Sequence, residues 1–194
     1  MKQKIITAII LFTGIVIISS NKLLIKSNGA PVASTGAPRD VTCAKSGCHV
    51  GSVINEGNGK LSLSFNNGLN SYEAGKTYPI TVEISQKDIQ RFGFQLVALC
   101  DADTSNAGTI EITDSLRTQI LKGVKKNADR KYITYKYAGT EPFVKEKGSW
   151  TFNWTAPKNY KGNITFYYGA IAANNDGTDS GDWVYHQSTT ILSK

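Results

Sequence analysis

Apolar and polar residues alternate along most of the chain after residue 60, and turn residues separate the alternating runs. A period of two places successive side chains on opposite faces of a strand, so each run predicts a β-strand with a buried face. The runs are rich in Val, Ile, Thr and aromatic residues, while Asn and Gly at the breaks favour turns. The predicted strands cover residues 61–65, 78–84, 92–98, 110–112, 132–137, 150–154, 164–172 and 184–191.

About eight strands at this spacing, with no long helical segment, predict an all-β fold, an antiparallel immunoglobulin-like β-sandwich. A short helix is expected only over residues 114–126. Trp150, Phe152 and Trp154 share one face of their strand, and we interpret them as core residues and not as a carbohydrate-binding platform. Cys100 follows a strand and is expected to be a buried, inert thiol.

The first 26 residues have a different pattern. Lys2 and Lys4 precede an uncharged, mostly apolar run over residues 5–20. This form is typical of a secretory signal, and the run is shorter than the roughly 20 residues that a spanning helix needs. We therefore predict that residues 1–26 are a signal peptide or a signal anchor of a bacterial protein. The rest is expected to be exported, to the cell surface, the periplasm or the extracellular space, with membrane contact only through an uncleaved N-terminal segment.

The predicted signal also changes how the net charge of +7 is interpreted. Four lysines and no acidic residues lie in residues 1–26, so the remainder has 18 basic and 15 acidic side chains, a net of +3. This mild balance, without a basic run, argues against nucleic acid as a partner. We find no Ser-His-Asp set, paired carboxylates or phosphate-binding loop, and so expect no enzyme activity and no catalytic residues.

Residues 27–57 are rich in Gly, Pro and small side chains, and we predict that they form an irregular leader before a sandwich over residues 58–194. Because small side chains bury little surface, we expect the sandwich to fold without the leader. The leader contains Cys43, Cys48 and His49. A histidine directly after the second of two cysteines is typical of covalently bound c-type haem, although the usual spacing is two residues and this chain has four.

Three interpretations of this segment stay open. Cys43, Cys48 and His49 bind one haem c, or Cys43 and Cys48 form a disulfide beside a solvent-facing His49, or the segment binds zinc or another metal. Met1 is the only methionine, so a His/Met haem is excluded. His186 is the only other histidine, and it is either a second haem ligand or an ordinary strand residue at the surface or sheet edge.

The loop of residues 174–182 is rich in oxygen donors, as calcium sites require. Asp176, Asp179 and Asp182 are the candidate ligands. The spacing is not that of an EF-hand, and Asp, Asn and Gly also suit tight turns, so the loop is open to both interpretations.

Several segments resemble one family. Residues 72–82, 91–96, 149–157 and 162–166 are similar to strands of Reeler (reelin-type) domains. The closest resemblance is to bacterial choice-of-anchor V domain proteins, which place a Thr-Gly-Ala-Pro segment and a Cys-His motif before the sandwich and a Gly-Asp-x-Val-Tyr segment near the end. Residues 35–38, 43–49 and 181–185 match these segments here. The resemblance implies a Reeler-like sandwich in the cell envelope.

Two functions of different classes therefore stay open. The first is an exported protein that carries haem c and passes electrons to a redox partner. The second is a haem-free surface binding or adhesion module for an unknown protein or glycan, with a local disulfide between Cys43 and Cys48.

Overall fold

The described residues form a sandwich of two β-sheets with ten strands, which confirms the predicted fold class. The computed structural model describes residues 29–45, 49, 53–160, 162–178 and 180–194. The strands are β1 (Lys60–Phe65), β2 (Ser71–Tyr72), β3 (Thr77–Ser85), β4 (Arg91–Cys100), β5 (Thr109–Ile112), β6 (Thr118–Lys122), β7 (Lys131–Tyr135), β8 (Lys147–Thr155), β9 (Ile164–Ala173) and β10 (Trp183–Ser193). Three short 3-10 turns cover Asn66–Gly68, Lys125–Asn127 and Tyr137–Gly139.

The first sheet has four strands in the order β1-β3-β8-β5, and the second has six in the order β2-β10-β9-β4-β7-β6. Among the described strands, only the consecutive pairs β6–β7 and β9–β10 lie in the same sheet, and every other connection crosses from one sheet to the other. All strand pairs are antiparallel except β2 and β10, which run parallel. The two sheets enclose one large apolar core.

The core face of β8 shows why the alternating pattern is predictive. Trp150, Phe152 and Trp154 are each exposed by 2% or less. The indole N–H of Trp150 donates to the Gly139 carbonyl at 2.9 Å, and that of Trp154 donates to the Ala107 carbonyl at 2.9 Å. Both indoles therefore have a partner for their polar atom inside the core. The interpretation of these aromatic residues as core is confirmed.

The six-stranded sheet is buried on its outer face as well as its inner one. On the outer face, Val97 and Leu99 of β4 and Ile171 of β9 are 0%, 1% and 7% exposed. Two small apolar clusters lie there and include leader residues. The first consists of Ala37, Val97, Leu99 and Tyr132, and the second consists of Cys43, Ile171 and Val184. The leader is thus the outer cover of β4 and β9.

Hydrogen bonds also hold the leader on this face. The side-chain amide of Gln95 donates to the carbonyls of Ala30 (3.2 Å) and Pro31 (2.9 Å), and its oxygen accepts the Ser34 N–H at 2.8 Å. Ser34 and Ala37 are almost fully buried. The expectation that the leader contributes little burial is therefore wrong. Its side chains are small, but they cover larger apolar side chains of the sheet.

The predicted helix over residues 114–126 is also wrong. Residues Thr118–Lys122 form β6, which pairs along its whole length with β7. The strand pairing outweighs the helical propensity of this segment. The two-residue strand β2 was not predicted, and its parallel pairing departs from a wholly antiparallel sandwich.

The predicted signal segment, residues 1–26, lies outside the described residues. Within the part of the chain that the structure describes, no helix is long and apolar enough to cross a membrane.

Candidate functional site

His49 of the leader and Asp182, directly before β10, form a hydrogen-bonded pair. The distance between His49 Nδ1 and Asp182 Oδ2 is 2.6 Å, and their side chains are 25% and 3% exposed. Asp182 Oδ1 accepts the N–H of Asn174 at 3.0 Å, which fixes the carboxylate. Because a carboxylate accepts hydrogen bonds, His49 donates from Nδ1, and Nε2 is the ring nitrogen that can bind a metal.

Cys43 and His49 line one cleft between the leader and the outer face of β4 and β9. The cleft is partly open to solvent, and Tyr135 and Ile171 are in its wall. Cys43 is 8% exposed, and its Sγ lies 3.7 Å from the carbonyl oxygen of Ser34. The structure thus brings together two residues of the predicted haem motif, and Cys48 lies outside the described residues.

His186 of β10 lies on the same outer face and is covered by the leader. Its Nδ1 is 3.0 Å from the Thr35 carbonyl oxygen, to which it donates. Its ring lies directly over Gly169, where a Cβ atom would come within 2.5 Å of Cε1. Nε2 is buried and has no hydrogen-bond partner among the described residues. The nitrogen that would bind iron is therefore covered, and this arrangement does not favour His186 as a second haem ligand.

The covered imidazole leads to a prediction of pH dependence. Burial lowers the pKa of His186, and the hydrogen bond to the Thr35 carbonyl opposes this shift only in part. In the unfolded chain the His186 ring takes up a proton near pH 6.5, whereas in the folded protein it stays neutral at that pH. Protonation therefore favours the unfolded chain, so the stability of the folded protein is unaffected by this ring well above pH 6.5 and declines below it. We expect the free energy of unfolding to lose up to about 1.4 kcal/mol per pH unit from this residue as the pH falls below about 6.5.

Urea unfolding of the wild type and of His186→Asn between pH 8 and pH 5 measures this contribution. The variant lacks the titrating ring, so its stability should fall less steeply over the same range. Equal slopes for the two proteins would show that His186 binds its proton equally in both states.

A buried ion pair holds the leader at a second place. Asp40 Oδ1 lies 2.8 Å from Arg130 Nη1, and both side chains are fully buried. The same oxygen accepts hydrogen bonds from Tyr132 (3.0 Å) and Asn127 (2.9 Å), and Oδ2 accepts one from the Thr35 hydroxyl (2.6 Å). Burial, with a smaller effect of the Asp40 charge, raises the pKa of Tyr132, so its phenol stays a donor. The sequence analysis missed this network, since neither partner has a local signal.

Asp176 and Asp182, two of the three predicted calcium ligands, have hydrogen-bond partners in the structure. Asp176 Oδ1 accepts hydrogen bonds from the backbone N–H and the hydroxyl of Thr178, both at 2.8 Å. Its other oxygen accepts one from the Asn174 side chain. Asp182 holds His49 and Asn174, as described above, and Asp179 lies outside the described residues. The calcium site stays a prediction.

Two further observations concern Cys100 and the binding of metals. Cys100 is a free, buried thiol, and burial raises its pKa, as expected of an unreactive cysteine. Across the described ranges, no group of three His, Cys, Asp or Glu side chains converges on a point that could hold a metal ion. The zinc interpretation includes Cys48, which is not described, and stays a hypothesis.

The aromatic side chain of Phe143 is exposed and contacts Arg117, which directly precedes β6, an edge strand of the six-stranded sheet. Phe143, in the loop between β7 and β8, is 83% exposed, and the Arg117 guanidinium lies 4.1 Å from its ring centroid. Arg117 donates to the carbonyls of Ser149 and Glu141, both at 3.2 Å. Leu116, next to Arg117, is 78% exposed. Neighbouring exposed apolar side chains are typical of protein-binding surfaces.

Comparisons with known proteins relate this architecture to one family. A sequence model described as the Reeler domain matches residues 57–176. The human F-spondin reeler domain superposes with a TM-score of 0.52 at 20% identity, over 74% of this chain and 95% of that one. A structure of the Reelin-N domain of F-spondin gives a TM-score of 0.53 at 20% identity, over 74% and 92% of the two chains. A comparison with curated proteins gives no significant match.

Proposed function

The chain belongs to the Reeler domain family, and we propose that it is an exported, non-enzymatic member that carries one covalent haem c and transfers electrons in the cell envelope. The observation that carries this proposal is the pair of His49 and Asp182 beside the cleft that Cys43 lines. The signal-like segment that precedes the Cys-His motif supports export. A bound haem would supply one-electron redox chemistry.

The residues that line the cleft are of the chemical types that hold such a group. Cys43 and Cys48 would supply the two thioether sulfurs, and His49 would supply Nε2 as an axial ligand. Asp182 occupies Nδ1 and so leaves Nε2 as the nitrogen that can bind a ligand, an arrangement common in histidines that bind metals. The wall formed by Tyr135 and Ile171 is mostly apolar, which restricts access of water.

A test of haem attachment begins with the full chain, exported from a host that has haem-attachment machinery. The purified protein should be coloured, with a Soret band and an intact mass raised by one haem. Cys43→Ala and Cys48→Ala should each leave one thioether bond or none, and His49→Ala should change the spectrum while the sandwich still folds. Cys100→Ala is the matched control and should keep the haem, because Cys100 lies in the core away from the leader.

A mass equal to that of the bare polypeptide, in a host that loads a control cytochrome, would contradict this proposal. We also expect His186→Ala to leave the spectrum unchanged, because Nε2 of His186 is covered. Conversion to a high-spin spectrum in that variant would instead identify His186 as the second ligand.

The second candidate function is a haem-free surface module that binds a protein or glycan. The exposed Phe143, which contacts Arg117, favours this second function. Aromatic side chains that become buried when a partner binds often dominate the energy of an interface. In this case Cys43 and Cys48 would form a local disulfide, and the intact mass would be that of the polypeptide minus two hydrogens.

A further inference from the structure

Asp182 connects two segments that lie far apart in the chain. It lies where the hairpin from β9 enters β10, and it contacts His49, which is 133 residues away in sequence. Both carboxylate oxygens have assigned partners, Oδ2 with His49 Nδ1 and Oδ1 with the Asn174 N–H. The side chain is 3% exposed, so water competes little for either bond.

We propose that Asp182 is the positioning residue of the haem ligand His49. It keeps the hydrogen on Nδ1 and leaves the lone pair of Nε2 directed away from the carboxylate. The proposal rests on the haem function proposed above, but the orientation of the ring is a property of the protein without haem as well.

The charge of Asp182 has a further effect beyond orientation. A carboxylate that accepts the Nδ1 hydrogen makes the imidazole a stronger electron donor through Nε2. A stronger donor stabilises the oxidised iron more than the reduced iron. Asp182 should therefore hold the reduction potential of a bound haem lower than a neutral partner would.

A purely structural role makes a different prediction. If Asp182 only tied the leader to the hairpin, Asp182→Asn would preserve most of its effect, because an amide oxygen can accept the same hydrogen bond at the same place. Only the charge, and with it the electronic effect on the His49 ring, would be lost. The Asn variant therefore separates the two roles without a large change in shape.

The first measurement needs no haem. Full-length protein from a host without haem-attachment machinery is labelled with 15N-histidine, and the ring nitrogens are recorded by NMR at pH 8, with His186→Asn to assign the two rings. We expect His49 to carry its hydrogen on Nδ1 in the wild type and to lose this preference in Asp182→Ala. A wild-type ring with the hydrogen on Nε2 would overturn the proposal.

The second measurement uses the haem-loaded protein. We expect the midpoint potential of Asp182→Asn to shift to a more positive value than that of the wild type. Asp176→Asn is the matched control, because Asp176 lies in the same hairpin but bonds within the loop, and its potential should not shift. Equal potentials in wild type and Asp182→Asn would overturn the effect of the Asp182 charge on the haem while the haem function stands, and the NMR result decides the positioning role. A protein that never binds haem overturns the proposed function, and the NMR result then still decides the role of Asp182.

Discussion

A chain that begins at Asn58 will be less stable than one that begins at Asn28, by an amount on the order of 5 kcal/mol. Removal of the leader uncovers the apolar side chains on the outer face of β4 and β9, among them Val97, Leu99 and Ile171. Each such side chain contributes about 1.5 to 3 kcal/mol when it is fully buried. The expected loss is comparable to the total stability of many domains of this size.

Urea unfolding of the two chains, followed by tryptophan fluorescence, tests this prediction. The control is the chain from Asn28 with both Cys43→Ala and Cys48→Ala, which removes any covalent link but keeps the cover. It should unfold much closer to the longer chain than to the shorter one. Equal midpoints for the chains from Asn28 and Asn58 would contradict the prediction and support an autonomous sandwich.

The strands were predictable because each one alternates against a single core. Trp150 and Trp154 show this well, since their period of two places both on the face that is buried. The segment Thr118–Lys122 shows the limit. It has good helix formers, and only its pairing with β7, which is encoded elsewhere in the chain, makes it a strand.

The leader was misjudged from its composition, although β4 contained a usable signal. Residues 96–100 are Leu-Val-Ala-Leu-Cys, an unbroken apolar run in which alternation disappears. A strand that is apolar on both faces is buried on both faces. Such a run in a two-layer sandwich requires a third layer on one side, and the small residues of the leader are the layer that the structure places there.

The candidate site was predicted as separate residues and not as a site. His49 was singled out for haem and Asp182 for calcium, each from its own neighbours in sequence. Their contact depends on how the leader crosses β9 and β10, and no local spacing encodes that path. The same holds for Asp40 and Arg130, which meet only after the leader has reached the hairpin of β6 and β7.

The buried ion pair carries the second large expected effect. Replacement of Asp40 by alanine would leave the Arg130 guanidinium without its carboxylate, and its Nε already has no hydrogen-bond partner among the described residues. An unpaired buried charge costs about 3 to 5 kcal/mol. We therefore expect Asp40→Ala to lower the free energy of unfolding by about this amount.

A double-mutant cycle measures how much of this loss is due to the pair. Arg130→Met removes the charge but keeps an apolar side chain of similar length, so the double variant should be less destabilised than the sum of the single variants. Glu73→Ala is the control, because the Glu73–Lys194 pair is 53% exposed on both sides and such pairs contribute little. A loss for Asp40→Ala as small as that for Glu73→Ala would contradict the prediction. It would also mean that the leader stays in place through its apolar contacts and through Gln95, with Asp40 contributing no more than a surface charge.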